Sequence, residues 1–204
     1  IAAQAAKQVI FQKVRDAEQE KIYGEFAPRI GEIVAGTYRR SESEAIVLEV
    51  KKADIFLPVR DMLANDSFRR GDQVKGVIVQ VRKSVREQAP QVFVSRTSPR
   101  FLEKLLALEI PEIANGTIEI KDIVRQPGER AKVSVISRER DVDPVGACIG
   151  VKGSRILAIS KELSGEKIDV VVWSEIPAAY AKAALSPARI DRVQIVSEAE
   201  KTMD

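Results

Sequence analysis

Residues 143–155 read Asp143-Pro144-Val145-Gly146-Ala147-Cys148-Ile149-Gly150-Val151-Lys152-Gly153-Ser154-Arg155. This stretch decides the fold of the second half of the chain. Asp143 is suited to cap a helix that begins with Pro144, because proline is well tolerated in the first helical turn. Gly150 and Gly153 then allow a sharp turn and a close approach to another polymer, while amides at the start of the next helix would face an anion. The alternative interpretation is an ordinary tight turn.

The segments on either side of this stretch predict an ordered set of helices and strands. The pattern places a helix around residues 101–108, strands at 117–124 and 131–137 joined by a turn at 126–129, a helix at 154–163 ended by Gly165, and a strand at 167–173. The order helix, strand, strand, helix, G-x-x-G, helix, strand resembles the prokaryotic, type II KH fold. The resemblance implies that the loop clamps the backbone of about four nucleotides of single-stranded RNA.

Two other nucleotide-binding motifs also place glycines before a helix, and neither fits. A Walker A loop requires glycine directly before its lysine and Ser or Thr directly after it, whereas Val151 and Gly153 flank Lys152. A dinucleotide-binding turn requires G-x-G-x-x-G, whereas Gly146, Gly150 and Gly153 are spaced four and three residues apart. The sequence therefore predicts neither a P-loop nor a Rossmann fold.

Residues 29–98 change to the two-residue period of β-strands and repeat one phrase. Residues 31–36 and 71–76 share the pattern G-[DE]-x-V-x-G, and each copy opens a strand. Five short strands are predicted, at 31–40, 45–50, 54–58, 71–81 and 91–95. Their number, with a longer connection between the third and the fourth, indicates a closed or partly open Greek-key barrel. This segment resembles an OB-fold barrel of the ribosomal protein S-one type.

Candidate RNA-binding residues lie in both segments. Gly150 and Gly153 are expected to let a phosphate approach, with backbone amides near Ser154 as donors and Lys152 and Arg155 as charge partners. The candidates in the KH segment are Gly150, Val151, Lys152, Gly153, Ser154 and Arg155, with Val145, Ile149 and Ile156 as an apolar floor under the bases.

The barrel has its own candidates, since such barrels bind single strands by stacking bases on aromatic side chains in a basic groove. Tyr38, Arg39 and Arg40 are adjacent and combine a ring with two cations. Phe56 is a second stacking candidate, although core packing is the favoured interpretation for Phe56, Phe68 and Phe93. The barrel's basic content supports the same function, because residues 60–100 hold nine Lys or Arg against four acids and predict a basic patch.

Composition limits the remaining functions. The chain has 204 residues, of which 45% are hydrophobic, enough to form the cores of two small domains. It has no histidine and a single cysteine, Cys148, so the usual proton shuttle and zinc clusters are missing, and no enzymatic activity, cofactor or metal is expected. The sequence contains neither a secretory leader nor an apolar run of the roughly 20 residues that span a bilayer, and a cytoplasmic location is expected.

Several phrases together resemble the NusA family of bacterial transcription factors. They are Ile22-Tyr23 at the end of a long amphipathic helix, Gly31-Glu32-Ile33-Val34, Phe56-Leu57-Pro58, the stretch 143–155, and Gly165-Glu166-Lys167-Ile168-Asp169-Val170 leading to Trp173-Ser174. The resemblance covers nearly the whole chain and implies an α+β multidomain protein. Its expected parts are a connector helix at 1–28, the OB-fold barrel at 29–98, the type II KH domain at 99–189 and the start of a truncated second KH module at 190–204.

The resemblance also implies a function and partners. It predicts a non-enzymatic factor that binds single-stranded nascent RNA and modulates RNA polymerase pausing, elongation, termination and antitermination. RNA polymerase would be bound through an N-terminal domain of the parent protein that this central fragment lacks, and other antitermination factors are further expected partners. Two alternatives remain open from the residues alone: an RNA-guiding barrel and KH subunit of an exosome-like nuclease, and a protein-interaction scaffold. The predicted strand order opposes the first, and the intact Lys152 between two glycines opposes the second.

Overall fold

The computed structural model describes residues 2–83, 91–197 and 202–203, and these form two compact units. The first unit contains the described residues up to Met62 and those from Asp66 to Phe101. The second contains Leu63–Asn65 and the described residues from Leu102 onward. Within these ranges, no helix combines the length and the apolar composition that a membrane crossing requires.

The first unit consists of one long helix followed by a barrel. Its elements are α1 (Ala2–Phe26), β1 (Ile33–Ser41), β2 (Ala45–Val50), β3 (Ala53–Pro58), β4 (Gln73–Arg82) and β5 (Gln91–Ser95). Short 3₁₀ turns at Ala27–Arg29 and Val59–Asp61 follow α1 and β3. The predicted long helix is confirmed, and its last residue, Phe26, is fully buried in the core of the barrel. Earlier in α1, apolar side chains such as Val9 and Phe11 are exposed.

The five strands close into a barrel in the order β1-β2-β3-β5-β4, which confirms the predicted architecture. The pair β3–β5 is parallel, and Phe56 lies opposite Phe93 in it. The repeated phrase ends in Gly36 and Gly76 because the barrel is tight there. A Cβ atom at Gly36 would lie 2.9 Å from the Cβ of Leu48, and one at Gly76 would lie 3.1 Å from a neighbouring side chain.

A buried ion pair connects the barrel strands to the segment after β5. The guanidinium of Arg96 donates to both carboxylate oxygens of Asp66, at 2.8 and 3.1 Å, and to the carbonyl of Lys75 at 2.8 Å. Its guanidinium carbon lies 5.2 and 5.3 Å from the ring centroids of Phe68 and Phe101. Arg96 is only 1% exposed, so counting it in a basic surface patch was wrong. A charge count along the sequence cannot detect a cation that is neutralised in the interior.

The second unit has the element order predicted for a type II KH fold. Its elements are α2 (Pro99–Glu109), which begins in the first unit, α3 (Pro111–Ala114), β6 (Ile118–Gln126), β7 (Arg130–Ser137), α4 (Pro144–Ile149), α5 (Ser154–Glu162), β8 (Lys167–Val172), α6 (Pro177–Ala184), β9 (Ile195–Ser197) and β10 (Thr202–Met203). Strands β6, β7 and β8 form one sheet, in which β6–β7 is antiparallel and β7–β8 parallel. Helices α4 and α5 both contact β8, so the sheet supports the loop between them.

A second buried ion pair holds the hairpin of this sheet. Arg125 donates to both carboxylate oxygens of Glu166, at 2.7 and 2.8 Å, and both side chains are 0% exposed. The same carboxylate accepts from the amide of Gly128 at 2.7 Å. Because a buried charge needs partners for its lone pairs, the pair fixes the predicted turn at 126–129 beside the start of β8.

Candidate nucleic-acid interface

The loop between α4 and α5 has the backbone that its glycines predict. Asp143 caps α4, since its carboxylate accepts from the amide of Val145 at 3.1 Å. Gly150 follows with φ 74° and ψ 176°, and Gly153 has φ 79° and ψ 10°. Lys152, between them, has the left-handed conformation with φ 52° and ψ 28°, which is uncommon for a residue with a side chain. Three positive φ angles within four residues turn the chain sharply and leave Val151 and Lys152 exposed at the tip.

Backbone hydrogen bonds within the loop decide which amides face outward. The amide of Gly153 donates to the carbonyl of Gly150 at 3.1 Å, and that of Ser154 donates to the carbonyl of Val151. The amide of Ser154 itself, one of the donors expected near that residue, is therefore used inside the turn. Gly153 occupies the cap position of α5 and has no side chain with which to accept from the first turn of that helix. The first turn of α5 therefore receives no side-chain cap from Gly153, at the end of the helix where the dipole is positive.

Arg155 lies beneath the loop and contacts three elements. Its Nη1 donates to the Glu112 carboxylate on α3 at 2.9 Å and to the carbonyl of Ala147 on α4 at 2.6 Å. Its stem packs against Gly150, where an added Cβ would lie 2.8 Å from the Arg155 Cγ. A hydrogen bond from its own backbone amide, and then the bond from Arg155, hold the pKa of Glu112 below its ordinary value against the opposing effect of burial.

The apolar candidates lie beside the loop on both helices. Val145 and Ile156 are half-buried, whereas Ile149 is 39% exposed at the end of α4. Val151 at the tip is 82% exposed and Leu157, one residue beyond Ile156, is 64% exposed. Ile149, Val151 and Leu157 thus place exposed apolar surface next to Lys152. Leu157, which was not among the sequence candidates, lies near Gly153, since a Cβ added at Gly153 would be 3.7 Å from its Cδ1.

Cys148 lies inside this region without taking part in its chemistry. It is fully buried on α4, and burial, followed by the negative charge of Glu112, raises the pKa of its thiol to about 11. A thiol that stays protonated is a poor nucleophile and metal ligand, so Cys148 acts as a small core residue, as predicted. In the described ranges, no group of acidic, His or Cys side chains is placed to hold a metal ion.

The barrel candidates at the end of β1 do not share one environment. Tyr38 is half-buried and packs against the barrel core. Arg39 forms an ion pair with Glu49 on β2. Arg40 forms one with Asp54 on β3, at 2.8 Å, and another with Glu42 at 3.2 Å. The structure brings Arg39 and Arg40 close to carboxylates, which reduces the positive potential that these two residues offer to a polyanion.

A groove on the outer face of the barrel contains the aromatic side chains that the sequence placed in the core. Its volume is about 860 Å³, and its lining includes Phe56, Val79, Gln80, Arg82, Gln91 and Phe93. The rings of Phe56 and Phe93 are 5.9 Å apart between centroids, and the guanidinium carbon of Arg82 lies 4.9 Å from the Phe93 centroid. The core-packing interpretation is therefore wrong for Phe56 and Phe93, whereas Phe68 packs against the core.

Comparison with known proteins agrees with the resemblance seen in the sequence. Residues 96–173 match the family described as the NusA-like first KH domain. The transcription termination/antitermination protein NusA of Halalkalibacterium halodurans is 45% identical over 99% of this chain and 52% of that protein. NusA of Bacillus subtilis is 45% identical over 98% of this chain and 53% of that protein. NusA of Thermus thermophilus is 37% identical over 98% of this chain and 52% of that protein. The chain thus spans about half the length of the curated relatives it matches.

Proposed function

We infer, from a chain that is similar to NusA proteins along nearly its whole length, that it forms an RNA-binding part of a transcription termination and antitermination factor. The observation that carries the proposal is the loop Gly150–Gly153, whose tip exposes Lys152 between two glycines with positive φ. The alternative of an exosome-like nuclease subunit is not favoured, since the relatives named above are transcription factors. A purely protein-binding scaffold has no particular need for this backbone geometry.

In the proposed RNA contact, one set of residues positions the RNA backbone and another contacts the bases. Gly150 and Gly153 have no Cβ, so a sugar-phosphate backbone can lie against the loop, and Lys152 supplies the charge. The positive end of α5 adds a favourable field for the same phosphate. Val145, Ile149 and Ile156 lie beside the loop, and they supply an apolar surface for the bases of the same strand. The loop therefore controls affinity for RNA in general, and the apolar surface controls which bases are preferred.

The barrel groove is proposed as a separate RNA-binding surface of the first unit. Phe56 and Phe93 supply half-buried rings that line the groove, and Arg82 adds a cation over the Phe93 ring. Stacking on such rings tolerates any base, because every base has a π face. This assignment moves the stacking role of the barrel from Tyr38 to the Phe56–Phe93 pair. Arg39 and Arg40 keep a supporting electrostatic role at most, because their charges are balanced by neighbouring acids.

The proposed role in transcription is based on the similarity to NusA proteins, and it concerns the parent protein as a whole. We propose that the parent protein binds RNA polymerase through a domain outside this sequence and that the present residues hold the nascent transcript. Pausing, termination and antitermination would then depend on how long the transcript stays bound. Other antitermination factors are proposed as additional partners, and a cytoplasmic location follows from contact with the transcribing polymerase.

The experiment that tests this function compares two matched charge reversals in a salt series. Lys152→Asp at the loop tip and Lys161→Asp at the end of α5 change the charge equally, and both lysines are exposed. Binding of a labelled short single-stranded RNA is followed by fluorescence anisotropy, with Val151→Asp, Lys152→Asp as the stronger loop variant. Each lost phosphate contact should reduce the slope of log affinity against log salt by about 0.7.

The outcomes of that experiment separate the candidate functions. A lower RNA affinity and a smaller salt slope in the loop variants, with little change in Lys161→Asp, would support an RNA-backbone contact at Gly150–Gly153. Equal binding by all variants would move the RNA site to the barrel groove. No binding by the unaltered chain would contradict the proposal and favour a protein-interaction scaffold.

A further inference from the structure

Glu112 and Arg155 form a link between α3 and the loop at Gly150–Gly153. Their side chains are about equally accessible, at 30% and 29%, and Arg155 Nη1 lies 2.9 Å from Glu112 Oε2. Glu112 lies in the first turn of α3, directly after Pro111, where its carboxylate also accepts from its own backbone amide. The carboxylate thus accepts from two donors, its own amide and the Arg155 guanidinium.

The second contact of Arg155 lies at the end of α4. The carbonyl of Ala147 is among the last four of that helix, which have no partner within the helix itself. Arg155 Nη1 donates to it at 2.6 Å, and a cation at this end of a helix is favourable because the dipole is negative there. Nη1 of Arg155 therefore donates to both Glu112 and α4. The aliphatic part of the Arg155 side chain packs against Gly150, on the side where a Cβ would otherwise lie.

We propose that Glu112 is a positioning residue for RNA binding, acting through Arg155, which holds the Gly150–Gly153 loop in the backbone conformation described above instead of contacting phosphate itself. The proposal rests on the proposed RNA-binding function of that loop. It changes the expected role of Arg155 from charge partner to loop support, and it leaves Lys152 as the cation directed at phosphate. It assigns a role to an acidic residue, which simple electrostatics would expect to oppose RNA binding.

The direction in which Glu112→Gln changes the RNA affinity tests this proposal. Glu112→Gln removes a negative charge from the neighbourhood of the loop, so attraction to a polyanion alone predicts equal or tighter RNA binding. A positioning role predicts weaker binding, by about three- to fivefold, as expected for the loss of a partly exposed ion pair. The matched control is Asp169→Asn, which removes the same charge from another Arg–carboxylate pair of this unit, Arg130–Asp169 at 2.7 Å. This control should not weaken binding.

Arg155→Gln tests the other half of the proposal. If Arg155 only supports the loop, its loss weakens binding, while the salt slope stays equal to that of the unaltered chain. A fall of about 0.7 in the slope would show a direct phosphate contact and overturn the proposal. The double variant Glu112→Gln, Arg155→Gln should bind no more weakly than Arg155→Gln alone, because both substitutions break one link.

A readout without RNA separates this proposal from the RNA-binding function. The amide resonances of Gly150 and Gly153 should shift or broaden in Glu112→Gln and stay unchanged in Asp169→Asn, in proteins shown by fluorescence of Trp173 to be fully folded. Unchanged loop resonances, or tighter RNA binding by Glu112→Gln, would overturn the positioning role. If the loop resonances change in Glu112→Gln but the unaltered chain binds no RNA, Glu112 positions the loop through Arg155, and only the RNA-binding function is rejected.

Discussion

Replacing Gly150 by alanine should destabilise the second unit more than the same change at Gly153, although both glycines have positive φ. Gly150 has φ 74° and ψ 176°, a region that is almost restricted to glycine and costs about 1–3 kcal/mol for other residues. The new Cβ would also lie 2.8 Å from Cγ, 3.0 Å from Cδ and 3.2 Å from Cβ of Arg155. Arg155 must move, and its bonds to Glu112 and Ala147 are then strained or lost at a further cost of about 1 kcal/mol.

Gly153 is the matched control within the same loop. It has the left-handed conformation at φ 79° and ψ 10°, and an added Cβ would lie 3.7 Å from Cδ1 of Leu157, an ordinary contact. Its replacement by alanine should cost about 1–2 kcal/mol from backbone strain alone. The expected total for Gly150→Ala is about 2–4 kcal/mol, so the two variants should differ measurably.

The assay is urea unfolding followed by tryptophan fluorescence. The chain has one tryptophan, Trp173, and it lies in the second unit, so its signal reports that unit alone. Adding Arg155→Ala to Gly150→Ala removes the Cγ and Cδ atoms of Arg155, which make the two closest contacts with the new Cβ. The double variant should therefore lose less stability than the sum of the single variants, by about 1 kcal/mol. Equal costs at Gly150 and Gly153, together with full additivity, would refute this account of the loop.

Three further results are expected. Glu166→Gln leaves the buried guanidinium of Arg125 without its charged partner and should destabilise the second unit by about 3–5 kcal/mol in the same urea assay, and a loss below about 1 kcal/mol would contradict a tightly buried pair. Cys148 should resist alkylation at pH 8 in the folded protein and react rapidly in urea, because its raised pKa of about 11 keeps the thiol protonated, and equal rates in both states would count against burial. Phe93→Ala should weaken binding of single-stranded RNA about fivefold or more with little change in salt slope, since stacking carries no net charge. Phe11→Ala, at an exposed ring on α1, is the control for Phe93, and equal effects of the two would reject the barrel groove as an RNA surface.

Features that depend on near neighbours in the sequence were predictable. The cap at Asp143, the two loop glycines and the alternation of the barrel strands each follow from a few consecutive residues, and the structure contains all of them. The positions of the candidate site residues on α4, the loop and α5 followed from the same stretch. Local conformational preference therefore accounts for the shape of the loop.

Features that depend on distant partners were not predictable. Glu112 and Arg155 are 43 residues apart in the sequence, and nothing in the charge pattern indicates their contact. The outward direction of Phe56 was hidden because both of its neighbours, Ile55 and Leu57, are also apolar, so the two-residue period gave no indication of which side was buried. Arg96 looked like a surface cation for a similar reason, since its buried partner is brought in by the fold.

The central claim is that the loop Gly150–Gly153 contacts the RNA backbone, and amide chemical shifts during an RNA titration test it most directly. Single-stranded RNA added to isotope-labelled protein should shift the amides of Gly150, Lys152 and Gly153 in a saturable way, and the shifts should shrink when the phosphates beside the loop are replaced by uncharged analogues. Saturation of the protein with RNA while these three resonances stay in place would contradict the claim.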